Sequence, residues 1–138
     1  MSENTNDSAN PVLTFEGKKY LINELSNEIK ESLKVLQECA ELQQRKSQDY
    51  QNDKSRIRQA DHYPRGCATI LDMVHQKITR MYSVMESMEQ GNDINFESLE
   101  DSAIDAINYL SFFVSYSRGH MDGQNPSNDF VNRPKDKE

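Results

Sequence analysis

Apolar residues recur along the chain at two different spacings, and each spacing predicts one kind of element. Residues 12–22 place β-favouring residues on both sides of Glu16-Gly17, a pattern typical of a short hairpin with a tight turn. The next apolar residues follow at intervals of four, three and four: Ile29, Leu33, Leu36 and Ala40. This spacing predicts an amphipathic helix that begins near Ser26, a suitable N-cap, and runs to about Arg45 or beyond.

Two further helices are predicted in the second half of the chain. One runs from about Cys67 to Glu89. Its apolar side consists of Ile70, Val74, Ile78, Met81, Met85 and Met88, joined by Leu71 and Val84. The other runs from near Glu97 to Arg118. Its second half, residues 109–116, is apolar on nearly all sides, so we expect it to be either fully buried or part of an oligomer interface.

The predicted fold class is mainly α, a bundle of three long helices with an N-terminal β-hairpin and disordered termini. Residues 1–10 and 120–138 are polar and read as solvated tails. Between them we expect the hairpin and first helix over residues 11–45. A helical domain over residues 46–119 is expected to pack on them and to begin with an irregular connector.

Composition narrows the possible functions. The chain has 138 residues, 23 acidic against 16 basic, and a net charge of −7, which is unfavourable for coating duplex DNA because that binding depends on phosphate neutralisation. No segment approaches the ~18 consecutive apolar residues of a membrane span. The N-terminus lacks the features of a signal peptide, and two cysteines are too few for a disulfide framework. We therefore expect a cytoplasmic protein with reduced thiols.

The charge is unevenly distributed. Residues 45–80 carry eight Lys or Arg and four Asp or Glu, whereas residues 86–105 carry seven Asp or Glu and no Lys or Arg. A basic segment beside an acidic one predicts either internal ion pairing or a site for a metal ion and a phosphate.

The acidic segment contains the strongest candidate for a metal site. Asp101, Asp105 and Asn108 share one helix face at i, i+4 and i+7, and Glu97 lies one turn earlier. Like charges at this spacing repel, and a divalent cation such as Mg²⁺, which prefers oxygen ligands, would offset the repulsion. The alternative is that Glu97 and Glu100 simply suit the positive end of the helix dipole.

Glu38 and Glu41 on the first helix could complete such a metal site or form a solvated stripe. On the second helix, Lys77 and Arg80 lie at i, i+3 and could hold a phosphate. The alternative for these two cations is ion pairing with the acidic helix. A last group, Lys46, Asp49 and Tyr50, lies where the first helix meets the connector.

Three short motifs occur in succession: Lys46-x-x-Asp49-Tyr50, Lys77-x-x-Arg80 and Asp105-x-x-Asn108-Tyr109. Together, over about residues 45–119, they resemble a small all-helical phage domain, nucleotide modification associated domain 1. That domain is distantly similar to the all-α nucleotide pyrophosphohydrolases of the MazG and dimeric dUTPase type. The N-terminal piece, from Thr14 to Ser26, resembles a module of small marine-phage and cyanophage proteins.

The resemblance implies a phage-encoded, homo-oligomeric protein of the host cytoplasm that binds nucleotides. It implies Asp101 and Asp105 as Mg²⁺ ligands and catalytic residues, with Glu38 and Glu41 as the remnant of a second carboxylate motif. It further implies that Lys77, Arg80, Lys46, Asp49, Tyr50 and Asn108 contact or shape the nucleotide site. If the protein hydrolyses nucleotides, a metal-bound water would attack while Lys77 and Arg80 stabilise the phosphoryl charge.

A second hypothesis assigns no catalysis. A helical oligomer could bind a host protein or sequester a signalling nucleotide, in host takeover or anti-defence. The adaptable apolar surface for such a partner would come from the Met-rich second helix and the aromatic segment 109–116. The alternative for those methionines is that they fill the core.

Overall fold

A computed structural model describes residues 12–21, 26–50, 54–93 and 96–125 of the chain. Its elements are two strands, β1 (Val12–Phe15) and β2 (Lys18–Leu21), and three long helices, α1 (Lys30–Tyr50), α2 (Cys67–Glu89) and α3 (Phe96–Ser117), with a short 3-10 helix at Gln59–His62. The prediction of a mainly α chain with three long helices and an N-terminal hairpin is therefore confirmed. None of the helices in the described ranges is long and apolar enough to cross a membrane.

The chain divides into two compact units, Met1–Tyr50 and Gln51–Glu138. Helix α1 continues to Tyr50, in agreement with the expectation that it runs to about Arg45 or beyond. The predicted tail at residues 1–10 lies outside the described residues, as do residues 126–138 of the predicted C-terminal tail.

The first unit contains the hairpin and α1. β1 and β2 pair antiparallel, with Val12 opposite Leu21 and Phe15 opposite Lys18. The two turn residues, Glu16 and Gly17, have φ values of 51° and 81°, and positive φ at both central positions is the requirement of a type I′ turn. Before α1, the backbone N–H of Glu28 donates to the Ser26 hydroxyl at 3.3 Å, so Ser26 satisfies one backbone donor as the sequence predicts.

The second unit is built on α2 and α3, which run antiparallel. Residues early in α2 contact residues late in α3, and the reverse: the Cys67 thiol donates to the Phe113 carbonyl, and Lys77 pairs with Asp105. One cluster of buried residues forms the centre of its core, namely Ala60, Tyr63, Cys67, Ile70, Tyr116 and Met121, and Val74 and Ala106 are also buried. Both cysteines of the chain, Cys39 and Cys67, are buried, and neither forms a disulfide.

The core includes a residue that the sequence assigned to the C-terminal tail. Met121 is buried, and its backbone N–H donates to the Gln124 side chain at 2.6 Å, while Gln124 donates to the Tyr116 carbonyl at 3.0 Å. Residues 120–125 are therefore part of the folded unit, because one apolar side chain among polar neighbours anchors the turn that follows α3.

Helices α2 and α3 carry more apolar residues than the core of the second unit buries. Ile70 and Val74 are buried, whereas Leu71, Ile78 and Met85, expected on the same apolar side of the helix, are exposed. On α3, Tyr116 is buried and Phe112 and Phe113 pack against the core, but Leu110 and Val114 are exposed. Complete burial of residues 109–116 is thus wrong, since a two-helix layer covers only one side of each helix.

Candidate functional site

The candidate site lies between α2 and α3, near the loop that joins them. An open cleft of about 380 Å³ is lined by six residues: Arg80 from α2 and Glu97, Ser98, Asp101, Ser102 and Asp105 from α3. We call this the polar cleft, because every lining side chain is charged or carries a hydroxyl. Its acidic wall follows from the helical repeat, which brings residues 97, 98, 101, 102 and 105 to neighbouring positions over two turns.

An ion pair spans the two helices at one end of the cleft. The Lys77 ammonium lies 3.1 Å from an Asp105 carboxylate oxygen, and each side chain is only about one-quarter exposed, at 28% and 26%. Partial burial strengthens such a pair relative to a fully solvated one, because water screens it less. The alternative considered for Lys77, pairing with the acidic helix, is what the structure shows.

Arg80 forms the basic wall of the cleft. Its guanidinium donates to the Ser98 hydroxyl at 3.1 Å, which ties the exposed arginine to the start of α3. A guanidinium has five donors in a fixed planar fork, so one bond to a hydroxyl leaves further donors for an anionic guest. Of the two predicted phosphate-binding cations, Arg80 thus lines the cleft. Lys77 does not line it but pairs with Asp105, which does.

Two of the predicted metal ligands, Asp101 and Asp105, line the same cleft. Within the described residues, no group of three or more His, Cys, Asp or Glu side chains is arranged to hold a metal ion. Carboxylate oxygens are nevertheless the donors that suit Mg²⁺, and this ion is usually held by one or two carboxylates with water and phosphate oxygens completing its shell. The donor chemistry of Asp101 and Asp105 fits that pattern.

The other predicted site residues are Asn108 on α3 and five residues of the first unit. Asn108 is buried, with 8% of its surface exposed, and does not line the cleft. Lys46 is exposed on α1, and Glu38 and Glu41 are exposed on the same helix of the first unit. The side chains of Asp49 and Tyr50 fall outside the described part of the structure. The roles of these first-unit residues stay predictions.

Sequence reasoning missed the two serines and undervalued Glu97. Ser98 and Ser102 are four residues apart, directly beside the acidic positions, and that spacing was the available signal. Glu97 was assigned mainly to the helix dipole, whereas it lies both in the first turn of α3 and in the cleft lining. Glu100 does not line the cleft, which agrees with the simpler interpretation of that residue.

Comparison with known protein families gives a match over the first part of the chain. Residues 1–60 match the sequence model of a family described as "Family of unknown function (DUF6447)". No curated protein and no solved structure matches the chain. The family match ends before α2, so every residue of the polar cleft lies outside the matched region.

Proposed function

We propose that the polar cleft binds the phosphate groups of a nucleotide together with Mg²⁺. The observation that carries the proposal is the presence of Arg80 and three carboxylates, those of Glu97, Asp101 and Asp105, in one open cleft. An arginine binds phosphate oxygens through parallel hydrogen bonds, and carboxylates bind the cation that accompanies a phosphate chain. The choice of a nucleotide over other phosphorylated molecules rests on the resemblance of residues 45–119 to nucleotide-associated phage domains.

The charge balance of the site explains why the cation belongs to the proposal. Lys77 and Arg80 face the three carboxylates, so the site carries one net negative charge before any guest arrives. A bare triphosphate would meet carboxylates at close range, where repulsion is strong. A divalent cation at the carboxylates reverses the local field and makes the cleft attractive to phosphate.

Each residue has a distinct task in this proposal. Asp101 and Asp105 hold the cation, Arg80 binds the phosphate oxygens, and Lys77 positions the Asp105 carboxylate through their ion pair. When bound, the cation would polarise a phosphoryl oxygen or a water molecule, which is the chemistry required for hydrolysis. The cleft volume of about 380 Å³ is close to the lower end of known ligand pockets, about 300–1,000 Å³. This size suits a phosphate chain with its sugar.

The test is thermal unfolding of the full chain with each common nucleoside triphosphate, with and without Mg²⁺. A ligand that binds only the folded state raises the melting temperature, and at about 100 times Kd the stabilisation is about 2.7 kcal/mol. We expect the increase only with Mg²⁺ present. We expect Arg80→Gln to weaken binding by about tenfold or more, since a hydrogen bond to a charged group contributes about 1.5–3 kcal/mol.

The matched control is Arg65→Gln, which removes an exposed arginine of the same unit that does not line the cleft; it should respond like the wild type. Asp101→Asn should reduce the Mg²⁺-dependent rise in melting temperature. Its control is Glu86→Gln on α2, which should respond like the wild type. The proposal fails if no nucleotide shifts the melting temperature, or if Arg80→Gln responds as strongly as the wild type. Release of phosphate or pyrophosphate in the same mixtures separates a hydrolase from a binding protein.

A further inference from the structure

The side of α3 away from the cleft carries exposed apolar residues. Phe96, Leu110 and Val114 are exposed, at 59%, 43% and 43%, and the half-buried Ala103 and Ile107 lie between them along the helix. Exposed large apolar side chains on one helix face are unusual for an unpartnered surface, because contact with water makes them costly.

Helix α2 contributes four further exposed apolar residues, namely Leu71, Ile78, Tyr82 and Met85. Because each residue turns an α-helix by about 100°, Ile78 and Tyr82 point about 160° away from Arg80, and Met85 about 140°. On α3, Val114 points about 180° away from Asp105 by the same count. Arg80 and Asp105 line the polar cleft, so the exposed residues of both helices form a single surface opposite it. We call this surface the apolar face.

Two opposite charges flank the apolar face on α3. Glu100 and Arg118 are both exposed, and the backbone N–H of Arg118 donates to the Val114 carbonyl at 3.1 Å, so the helical path continues to Arg118. They are 18 residues apart, which is five helical turns, so they lie on one line along the helix, separated by about 27 Å. A negative charge thus lies near one end of the face and a positive charge at the other.

We propose that the apolar face binds a second copy of this chain, with the two α3 helices antiparallel. A two-fold axis on the outer side of α3, at the level of Tyr109 along the helix, places Leu110 of each copy opposite Ile107 of the other. The same axis places Arg118 of each copy opposite Glu100 of the other, so the ion pair forms twice. A two-fold interface requires a surface complementary to itself, and an antiparallel helix with opposite charges at equal distances from its centre meets that requirement.

The assembly does not depend on the proposed function of the polar cleft. The two surfaces lie on opposite sides of the α2–α3 pair, so a dimer leaves both clefts open. The exposure of Leu110 and Val114 excludes full burial of residues 109–116 within one copy. The proposed dimer buries these two side chains between copies.

The test is the molecular mass of the full chain by sedimentation equilibrium over a range of protein concentrations. We expect the wild type to form a reversible dimer. Glu100→Arg alone, or Arg118→Glu alone, places like charges opposite each other twice and should raise the dimer dissociation constant by about tenfold or more. The double variant Glu100→Arg/Arg118→Glu restores opposite charges and should restore wild-type dimerisation.

The matched control is Asp72→Arg, which changes the net charge as much as Glu100→Arg but lies on α2, outside the apolar face; it should dimerise like the wild type. All these positions are exposed, so folding is checked by far-UV circular dichroism and is expected to be unchanged. A chain that stays monomeric overturns the proposal, as does capture of a different protein by a monomeric chain. A dimer insensitive to the single substitutions uses another surface, and failure of the double variant to recover overturns the antiparallel register.

Discussion

Tyr63 is the residue whose ionisation the fold changes most clearly. Its ring is buried in the core of the second unit and packs at 6.4 Å, between ring centroids, from Phe112. Burial raises the pKa of the Tyr63 hydroxyl to about 12 from an ordinary value of 10, and the nearby Tyr109 contributes to the same shift. The charged phenolate is disfavoured because the core does not solvate it.

This shift predicts a specific loss of stability at alkaline pH. Below pH 10 Tyr63 is neutral in both states and contributes no pH dependence. Between pH 10 and 12 the unfolded chain releases the proton while the folded chain retains it, so the free energy of unfolding falls, by on the order of 2 kcal/mol. Tyr63→Phe keeps the ring and removes the titration. In urea unfolding from pH 8 to 12, the wild type should lose stability relative to Tyr63→Phe only above pH 10; a difference that does not vary with pH contradicts the assignment.

At the same scale, helical spacing predicted part of the candidate site. Lys77, Arg80, Asp101 and Asp105 come together because α2 and α3 pack as neighbours and each pair shares a helix face. Asn108 was grouped with Asp101 and Asp105 on spacing alone, yet it is buried and absent from the cleft lining. Spacing gives the rotation of a residue about its own helix, whereas the position of the neighbouring helix decides which part of that face is covered.

Among the elements, the turn after α3 is held against the 3-10 helix and the residue that precedes it. The Ala60 N–H donates to the Asp122 carbonyl at 3.0 Å, and the Arg58 guanidinium lies 3.8 Å from the Asp122 carboxylate. Gly123 has a φ of +81°, and a β-carbon there would meet the β- and γ-carbons of Arg58. These contacts join the segment before α2 to the turn after α3, and the close approach of Arg58 favours glycine at position 123.

Gly123→Ala is therefore expected to destabilise the protein more than an alanine at an open glycine. Gly91 provides the matched control, since its φ is +82° and nothing lies within 4 Å of a β-carbon built there. Left-handed backbone alone costs about 1–2 kcal/mol in Gly91→Ala, and crowding against Arg58 adds about 1–3 kcal/mol in Gly123→Ala. Chemical denaturation of both variants measures the difference, and equal losses would show that the close approach to Arg58 is relieved without cost.

The elements themselves were predictable to different degrees. α2 has the bounds expected from its apolar spacing and its closing Gly91, and Glu16-Gly17 forms the expected turn. The turn around Met121 was missed, because it depends on a single apolar anchor and on side chain to backbone hydrogen bonds that leave no periodic pattern. Ile78 was placed on the apolar side of its helix, and Val114 lies in the segment expected to be either buried or part of an oligomer interface. Both alternatives stayed open because periodicity does not distinguish a core from an interface between copies.

For the whole molecule, the family match and the proposed binding surfaces fall in different parts of the chain. The match to a family of unknown function covers residues 1–60, which include the first unit. The core residues from Ala60 to Met121, the polar cleft and the apolar face all belong to the second unit. The proposed binding of a nucleotide and the proposed dimer both depend on α2 and α3.

A fragment of residues 51–138 should therefore fold without the first unit. It contains the whole cluster of buried residues from Ala60 to Met121, with Ile70 fully buried, and a domain with its own core can fold independently. We expect helical circular dichroism and one cooperative thermal transition. The same fragment carrying Ile70→Ala, which removes packing worth about 2–5 kcal/mol, should unfold at a lower temperature or not fold. If the polar cleft binds nucleotides, the fragment should retain the Mg²⁺-dependent shift and its sensitivity to Arg80→Gln, since every lining residue is present. A fragment without a cooperative transition would show that the core depends on residues 1–50.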